Sequence, residues 1–288
     1  NRLTCWYATM GSTSITIKRL TPAIGAEISG VRLDTELPAE TIAQIRAALL
    51  EHLVIFFRDQ SLDPSSLVKF SRRFGEIGYY PFVAGMDGHP EVVEVAKKPD
   101  ETINFGGLWH TDTSYLEQPP LGSILYAHEV PPVGGDTLFA NMYAAYESLS
   151  DGMKALLSGL RGVNSSEKPD AAVTRIHRIA DRPKDAAELV TTSAHPIVRT
   201  HPETGRQALY CSDAHTTHIE GMTAEESRPL LQYLYSVQQR EELQCRFHWE
   251  PGSVAFWDNR CAQHNALNDY HGHKRTMYRV TLAGERPA

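Results

Sequence analysis

From about Gly122 onward the sequence breaks into short apolar runs separated by turn residues, and this texture narrows the choice of fold more than any other property of the chain. The runs cover Ser123 to Tyr126, Thr137 to Phe139, Pro196 to Thr200, Ala208 to Cys211, Leu243 to Trp249, Val254 to Trp257 and Thr276 to Ala283. They are rich in β-branched and aromatic residues, which suit a pleated, half-buried surface. Pro131-Pro132, Gly134-Gly135 and Pro251-Gly252 punctuate them as turns. Helical patterns interrupt the series at about Met142 to Leu160 and Ala224 to Arg240. A doubly wound sheet would need helices alternating regularly with parallel strands. The expected class is therefore mainly β with helical inserts: a double-stranded β-helix (jelly roll) flanked by helices.

The first part of the chain supplies the flanking helices. After a short extended piece, Ser14 to Ile17, the segment Pro38 to Leu53 places Ile42, Ile45, Leu49 and Leu53 at helical spacing, with Pro38 suited to a first turn. Val54-Ile55-Phe56-Phe57 reads as a strand and Pro64 to Phe74 as a second helix. No Gly/Ser-rich linker and no internal repeat divides the sequence, so residues 14–288 are expected to form a single domain. Residues 1–13, with Met10 near their end and no long apolar stretch, read as a disordered or added tail rather than a secretory signal.

Composition bears on partners. Apolar residues make up 41% and charged residues 22%, and no window approaches the roughly 18 consecutive apolar residues of a membrane span, so no membrane is expected. The net charge of -7 offers no basic footprint, which argues against nucleic acid and for a small-molecule partner; a homo-oligomer stays open. Cys5, Cys211, Cys245 and Cys261 have neither C-x-x-C spacing nor the density of a disulfide scaffold, which points to reduced thiols and a cytoplasmic location.

Five H-x-[D/E] triplets occur: His89/Glu91, His110/Asp112, His201/Glu203, His218/Glu220 and His248/Glu250. In an extended segment residues i and i+2 point to one side, so an imidazole and a carboxylate can share adjacent coordination positions on a metal. The first, third and fourth pairs sit in polar loops or at a helix start and read as surface residues, and His248/Glu250 reads as the end of a strand. His110/Asp112 differs, because it lies between apolar Leu108-Trp109 and the turn-forming Pro119-Pro120. By itself it would still read as a satisfied histidine beside a capping aspartate.

Its company changes that. Trp109-His110-Thr111-Asp112, Gly134-Gly135-Asp136-Thr137, Trp257-Asp258-Asn259-Arg260 leading to Gln263-His264, and finally Arg275 follow in order. The set resembles the TauD/TfdA family of 2-oxoglutarate-dependent dioxygenases, over nearly the whole chain from about Ile15 to Pro287. The resemblance implies Fe(II) held by His110, Asp112 and His264, with 2-oxoglutarate and O2 as cosubstrates. Two imidazoles and one carboxylate form a facial triad that leaves three positions open for a bidentate 2-oxo acid and O2. It further implies that Arg275 and Thr137 hold the distal carboxylate of 2-oxoglutarate, a task suited to a planar guanidinium. Oxidative decarboxylation to succinate and CO2 then drives hydrogen abstraction from a substrate C–H bond. A carboxylate at Asp112 occupies the place that related halogenases leave free for a halide, so hydroxylation is favoured over halogenation. A zinc hydrolase and a non-catalytic jelly-roll binding protein are the alternatives; neither predicts the later arginine together with the Gly-Gly-Asp-Thr segment.

Arg279 lies four residues beyond Arg275, on the same face of a regular strand, so two arginines are expected to point into one cavity. The second suits a carboxylate, sulfonate or sulfate on the substrate, as its counterpart does in the taurine enzyme; a partner acid inside the barrel is the plainer reading. Tyr79-Tyr80-Pro81-Phe82 and Asn104-Phe105-Gly106-Gly107 differ from the segments that help hold taurine in that enzyme. Tyr80 and Phe105 add aromatic surface there, so a larger, more apolar anion than taurine is expected.

Overall fold

The structure is a computed structural model describing residues 15–173 and 191–288; the tail set aside above, residues 1–13, lies outside them. The chain runs β1 (Thr16–Arg19), β2 (Ala26–Ser29), α1 (Ala39–His52), β3 (Val54–Phe57), α2 (Pro64–Ser71), β4 (Ile77–Gly78), β5 (Val93–Lys97), β6 (Gly122–Glu129) and β7 (Thr137–Asn141). Then come α3 (Met142–Glu147), α4 (Asp151–Leu157), β8 (Arg161–Ser165), α5 (Pro169–Ala172), β9 (Thr192–Pro196), β10 (Val198–Thr200), β11 (Gln207–Leu209) and β12 (Thr216–Ile219). The last elements are α6 (Ala224–Gln238), β13 (Gln244–Phe247), β14 (Val254–Asp258), β15 (Ala262–Ala266) and β16 (Arg275–Leu282).

The helix ends follow from local chemistry. Asp63 caps α2 by accepting from Ser66 N at 2.7 Å, with Pro64 in the first turn. Thr223 and Glu226 form a reciprocal capping box at α6. The helix expected over Met142 to Leu160 is two short ones, because Ser150 takes a β conformation and caps a new start by accepting from Met153 N.

Two sheets form the jelly roll. The larger has the order β1-β2-β3-β14-β6-β16-β4, with β5 also on β16; only β2 and β3 pair in parallel. The smaller has the order β13-β7-β15. Phe56 of β3 stacks on Phe247 of β13 at 3.9 Å, and Trp257 of β14 meets Phe139 of β7 at 5.7 Å, so these two inner faces share one core. The outer face of the large sheet is covered by α1 and α2, where Ile55, Phe57 and Phe256 pack with Ile45, Leu49, Leu67 and Phe70. Burial on both faces explains why Val54 to Phe57 is apolar without alternation.

The strands β2, β5, β8 and β15 were not visible as apolar runs. Their sequences (AEIS, VEVAK, RGVNS, AQHNA) carry too few large apolar residues, and pairing with stronger neighbours makes them strands. Among the described residues no helix is long and apolar enough to cross a membrane. Cys211, Cys245 and Cys261 are free and buried.

Candidate active site

His110 lies in the segment before β6, yet its backbone pairs with β15. His110 N donates to His264 O at 3.1 Å and His264 N to His110 O at 2.8 Å. Beyond it Thr113 takes a positive φ of 43° and turns the chain, leaving Asp112 facing both imidazoles. Asp112 Oδ1 stands 3.8 Å from His110 Nε2 and 3.9 Å from His264 Nε2, and all three residues are buried.

Neighbours hold the donor atoms in place. Ser123 Oγ donates to Asp112 Oδ2 at 2.7 Å and Asn259 Nδ2 to the same oxygen at 3.3 Å, so Oδ1 is the oxygen turned to the histidines. Asn259 is itself oriented by Trp257, whose Nε1 donates to its Oδ1 at 2.9 Å. His110 Nδ1 lies 2.6 Å from Leu108 O, a contact that requires the proton on Nδ1 and leaves the Nε2 lone pair free.

Electrostatics favour the same protonation states. Burial lowers the pKa of His264 to about 3, aided by His110 and opposed by Asp112. Burial also lowers that of His110, against Asp112 and the Leu108 carbonyl. Burial alone would raise Asp112, but its charged neighbours and Ser123 hold it well below the usual carboxylate range. With both imidazoles neutral, the lasting causes are Arg279, whose Nη1 is 3.6 Å from Oδ1, and the Ser123 hydrogen bond. Two neutral imidazoles and one carboxylate, with donor atoms within 4.8 Å of one another, could hold a divalent metal.

Two cavities meet at this cluster. The inner one is lined by Thr137, Phe139, Trp257, His264, Arg275 and Val95 among others, and the outer one by Tyr80, Tyr115, Ala214, His215 and Asp112 among others; Phe105, Gly106, His110 and Arg279 line both. Arg275 is buried, and its Nε and Nη2 find no hydrogen-bond partner among the described residues. Beside it Thr137 Oγ1 accepts from Trp249 Nε1 at 2.9 Å. Thr137 is delivered by the Gly134-Gly135 turn, where both residues have positive φ and a side chain at Gly134 would strike Asp269. Arg275 and Arg279 do enter one cavity, as the strand alternation requires. Arg279 sits 4.7 Å from the Tyr80 ring centre and 5.5 Å from that of Phe105; its Nη1 faces Asp112, and its Nε has no hydrogen-bond partner among the described residues.

The structure therefore brings together His110, Asp112, His264, Thr137, Arg275, Arg279, Tyr80 and Phe105. Sequence reasoning missed Ser123, Asn259, Tyr115 and His215. Asn259 lies inside the Trp257-Asp258-Asn259-Arg260 motif, but nothing in a linear pattern shows which atom it would orient. One expectation is corrected. His201 is a core residue, not a surface one, with Nε2 3.0 Å from Asp258 Oδ2. Together with Cys261 these two could pass for a second metal cluster. However, Arg260 already binds both Asp258 oxygens at 2.9 and 2.7 Å, and His201 Nδ1 accepts from Glu203 N and Thr204 N. The other pairs are structural: Glu91 binds Arg72, Glu220 binds Arg161, and His248 binds Asp136.

Comparison with known proteins shows the family. Residues 16–281 match the model of the taurine catabolism dioxygenase TauD, TfdA family. An α-ketoglutarate-dependent sulfate ester dioxygenase of Pseudomonas putida is 38% identical, over 92% of this chain and 88% of its own length. An alkylsulfatase of Acinetobacter baylyi is 36% identical, over 93% and 85%. Among solved structures, a taurine dioxygenase from Burkholderia xenovorans superposes with a TM-score of 0.81 at 41% identity, covering 96% of this chain and 93% of that one. AAD-2 in complex with Mn(II) and N-oxalylglycine gives 0.80 at 27% identity, over 95% and 99%. The chain belongs to the TauD, TfdA family of dioxygenases.

Proposed function

We propose that the chain is an Fe(II)- and 2-oxoglutarate-dependent dioxygenase that oxidises a C–H bond of a small organic anion, with an organic sulfate ester as the favoured substrate class. The observation that carries this reading is a buried His110/Asp112/His264 donor set at the junction of two cavities that share Arg279, whose Nη1 faces Asp112 Oδ1 at 3.6 Å, while the inner cavity also holds Arg275 with Nε and Nη2 open among the described residues. The donor set fits iron: it is the two-histidine, one-carboxylate type that leaves positions open for a bidentate 2-oxo acid and O2. When bound there, iron would supply the coupling of 2-oxoglutarate decarboxylation to hydrogen abstraction.

The chain's own residues do the rest. Ser123 and Asn259 keep Asp112 Oδ2 engaged, so that the carboxylate offers Oδ1 alone. Arg275 can donate through Nε and Nη2 to the distal carboxylate of 2-oxoglutarate. Thr137 can add its hydroxyl proton, since its oxygen already accepts from Trp249. In the outer cavity Arg279 suits the anionic head, and Tyr80, Phe105 and Tyr115 offer an apolar wall to the remainder.

The relatives named for sulfate esters and alkyl sulfates support the substrate class. Hydroxylation of the carbon bearing the sulfate turns R-CH2-OSO3⁻ into R-CH(OH)-OSO3⁻. Breaking its C–O bond yields R-CHO and hydrogen sulfate, while the second oxygen atom of O2 enters succinate. The test supplies medium-chain alkyl sulfates, alkanesulfonates, phenoxyacetate and taurine with Fe(II) or Zn(II), in air or without O2. Aldehyde, sulfate and succinate in equal amounts, dependent on Fe(II), 2-oxoglutarate and O2, is the expected result. Sulfate release with Zn(II) and no O2 would make the chain a hydrolase and sink the proposal.

A further inference from the structure

Lys97 is a buried cation without an assigned role; it is not itself a lining residue of the inner cavity, but its strand partner Arg275 is. Lys97 closes β5 and stands directly opposite Arg275 in the β5–β16 register. It lies two residues beyond Val95 on the same strand, hence on the same face, and Val95 lines the inner cavity with Arg275. Directly opposed side chains in an antiparallel pair are near neighbours.

Lys97 is only 3% exposed, and its Nζ has no hydrogen-bond partner among the described residues. It lies 4.3 Å from the centre of the Tyr270 ring, whose face attracts a cation without replacing the hydrogen bonds that water would give. Burial pulls the lysine pKa below its usual value, with Glu101 opposing. Arg275 beside it is 6% exposed, with Nε and Nη2 likewise open. The nearby carboxylate Asp136 is already bound by Arg246 and His248. Two adjacent buried cations with three open donor atoms repel one another and lack an anion, which is a costly arrangement unless an anionic ligand completes it.

We propose that Lys97 is a second cation of the 2-oxoglutarate subsite, acting with Arg275 on the distal carboxylate. This rests on the cosubstrate reading above. The two side chains divide the work: the guanidinium fork fixes the direction of the carboxylate, and the ammonium adds a point charge on a flexible stem.

The experiment measures Kd for 2-oxoglutarate and N-oxalylglycine by calorimetry on the Mn(II)-loaded wild-type protein, K97M, K97Q and K97R. It also measures Tm of the metal-free forms with and without 2-oxoglutarate. K97M and K97Q are expected to raise Kd about tenfold or more while K97R stays within about threefold, since charge and donors at an anion site dominate the effect. Without ligand K97M is expected to melt at or above the wild-type Tm, because an unpartnered buried charge has been removed. Wild-type Kd in both K97M and K97Q, with a lower ligand-free Tm, would assign Lys97 to packing on Tyr270 and overturn the proposal. Failure of the wild-type protein to bind 2-oxoglutarate at all would overturn the cosubstrate reading and this inference with it.

Discussion

His110 and His264 are joined by a reciprocal pair of backbone hydrogen bonds, at 3.1 and 2.8 Å, although one precedes β6 and the other lies on β15. Backbone pairing thus fixes the main-chain spacing of the two histidines, and the Leu108 carbonyl then orients the His110 ring. Pre-setting ligands in this way reduces the conformational entropy lost when a metal binds.

The triad makes the first prediction. Replacing His110, Asp112 or His264 by Ala should abolish turnover and weaken Fe(II) binding, because two protein ligands cannot maintain the facial geometry. Metal content after gel filtration and succinate formation are the readouts; wild-type activity in any one of the three variants would remove that residue from the metal site.

Arg275 should separate charge from geometry. Arg275→Ala should raise the 2-oxoglutarate KM far more than Arg275→Lys, because lysine keeps the charge and loses the two-pronged contact. A cost of about 1.5–3 kcal/mol for a charge-assisted hydrogen bond corresponds to a loss of roughly ten- to a hundredfold. An unchanged cosubstrate requirement in Arg275→Ala would refute the assignment.

Arg279 should act on the other partner. Arg279→Ala is expected to impair oxidation of an anionic substrate while decarboxylation of 2-oxoglutarate without substrate oxidation stays measurable. Taurine should be a poor substrate, since Tyr80 and Phe105 present rings instead of polar partners to its short amino end. Efficient coupled turnover of taurine, or full activity of Arg279→Ala on a sulfate ester, would show the outer cavity to be misread.

The Asp258–Arg260–His201 network should matter for folding. Asp258 is fully buried, and burial, which alone would raise its pKa, is outweighed by Arg260 and His201, which hold it well below the carboxylate range. Asp258→Asn removes the carboxylate that Arg260 and His201 share and leaves Arg260 with Glu203 alone, at 2.8 Å, so it should cost about 3 kcal/mol in urea unfolding, the low end for a broken buried pair. A cost below about 1 kcal/mol, the level of an exposed pair, would mean the network is not the anchor its burial suggests.

His195 gives a pH dependence of definite sign. Its ring is buried, Nε2 meets Leu116 O at 2.8 Å, and burial lowers its pKa from the ordinary 6.5. Between those two values the unfolded chain takes up a proton that the folded chain refuses, so stability falls as pH drops below about 6.5. The contribution is at most about 1.4 kcal/mol per pH unit, and His195→Gln should remove it while keeping a donor for Leu116. Denaturation midpoints from pH 7 to 5 test this; identical slopes for the two proteins would mean that His195 titrates alike in both states.

The sequence by itself determined the architecture and the chemical identity of the donors. Short β-branched and aromatic runs can bury one face only by stacking sheets, and β3, β6, β13, β14 and β16 lie where those runs stand. His110, Asp112, His264, Thr137 and Arg275 are singled out through the resemblance to the TauD/TfdA family, not through any one motif, and the fold gathers them around the paired cavities. Tertiary structure alone decided the remainder. Strands such as β5 and β15 exist because stronger neighbours pair with them, so their own residues carry little signal. His201 could not be told from a surface histidine, because its burial depends on Asp258 arriving from β14. Ser123, Asn259, His215 and Lys97 acquire a place beside the site only when β5, β6 and the loops before β12 and after β14 converge. Linear spacing encodes which groups are available, whereas distance and exclusion of water depend on contacts between segments far apart in the chain.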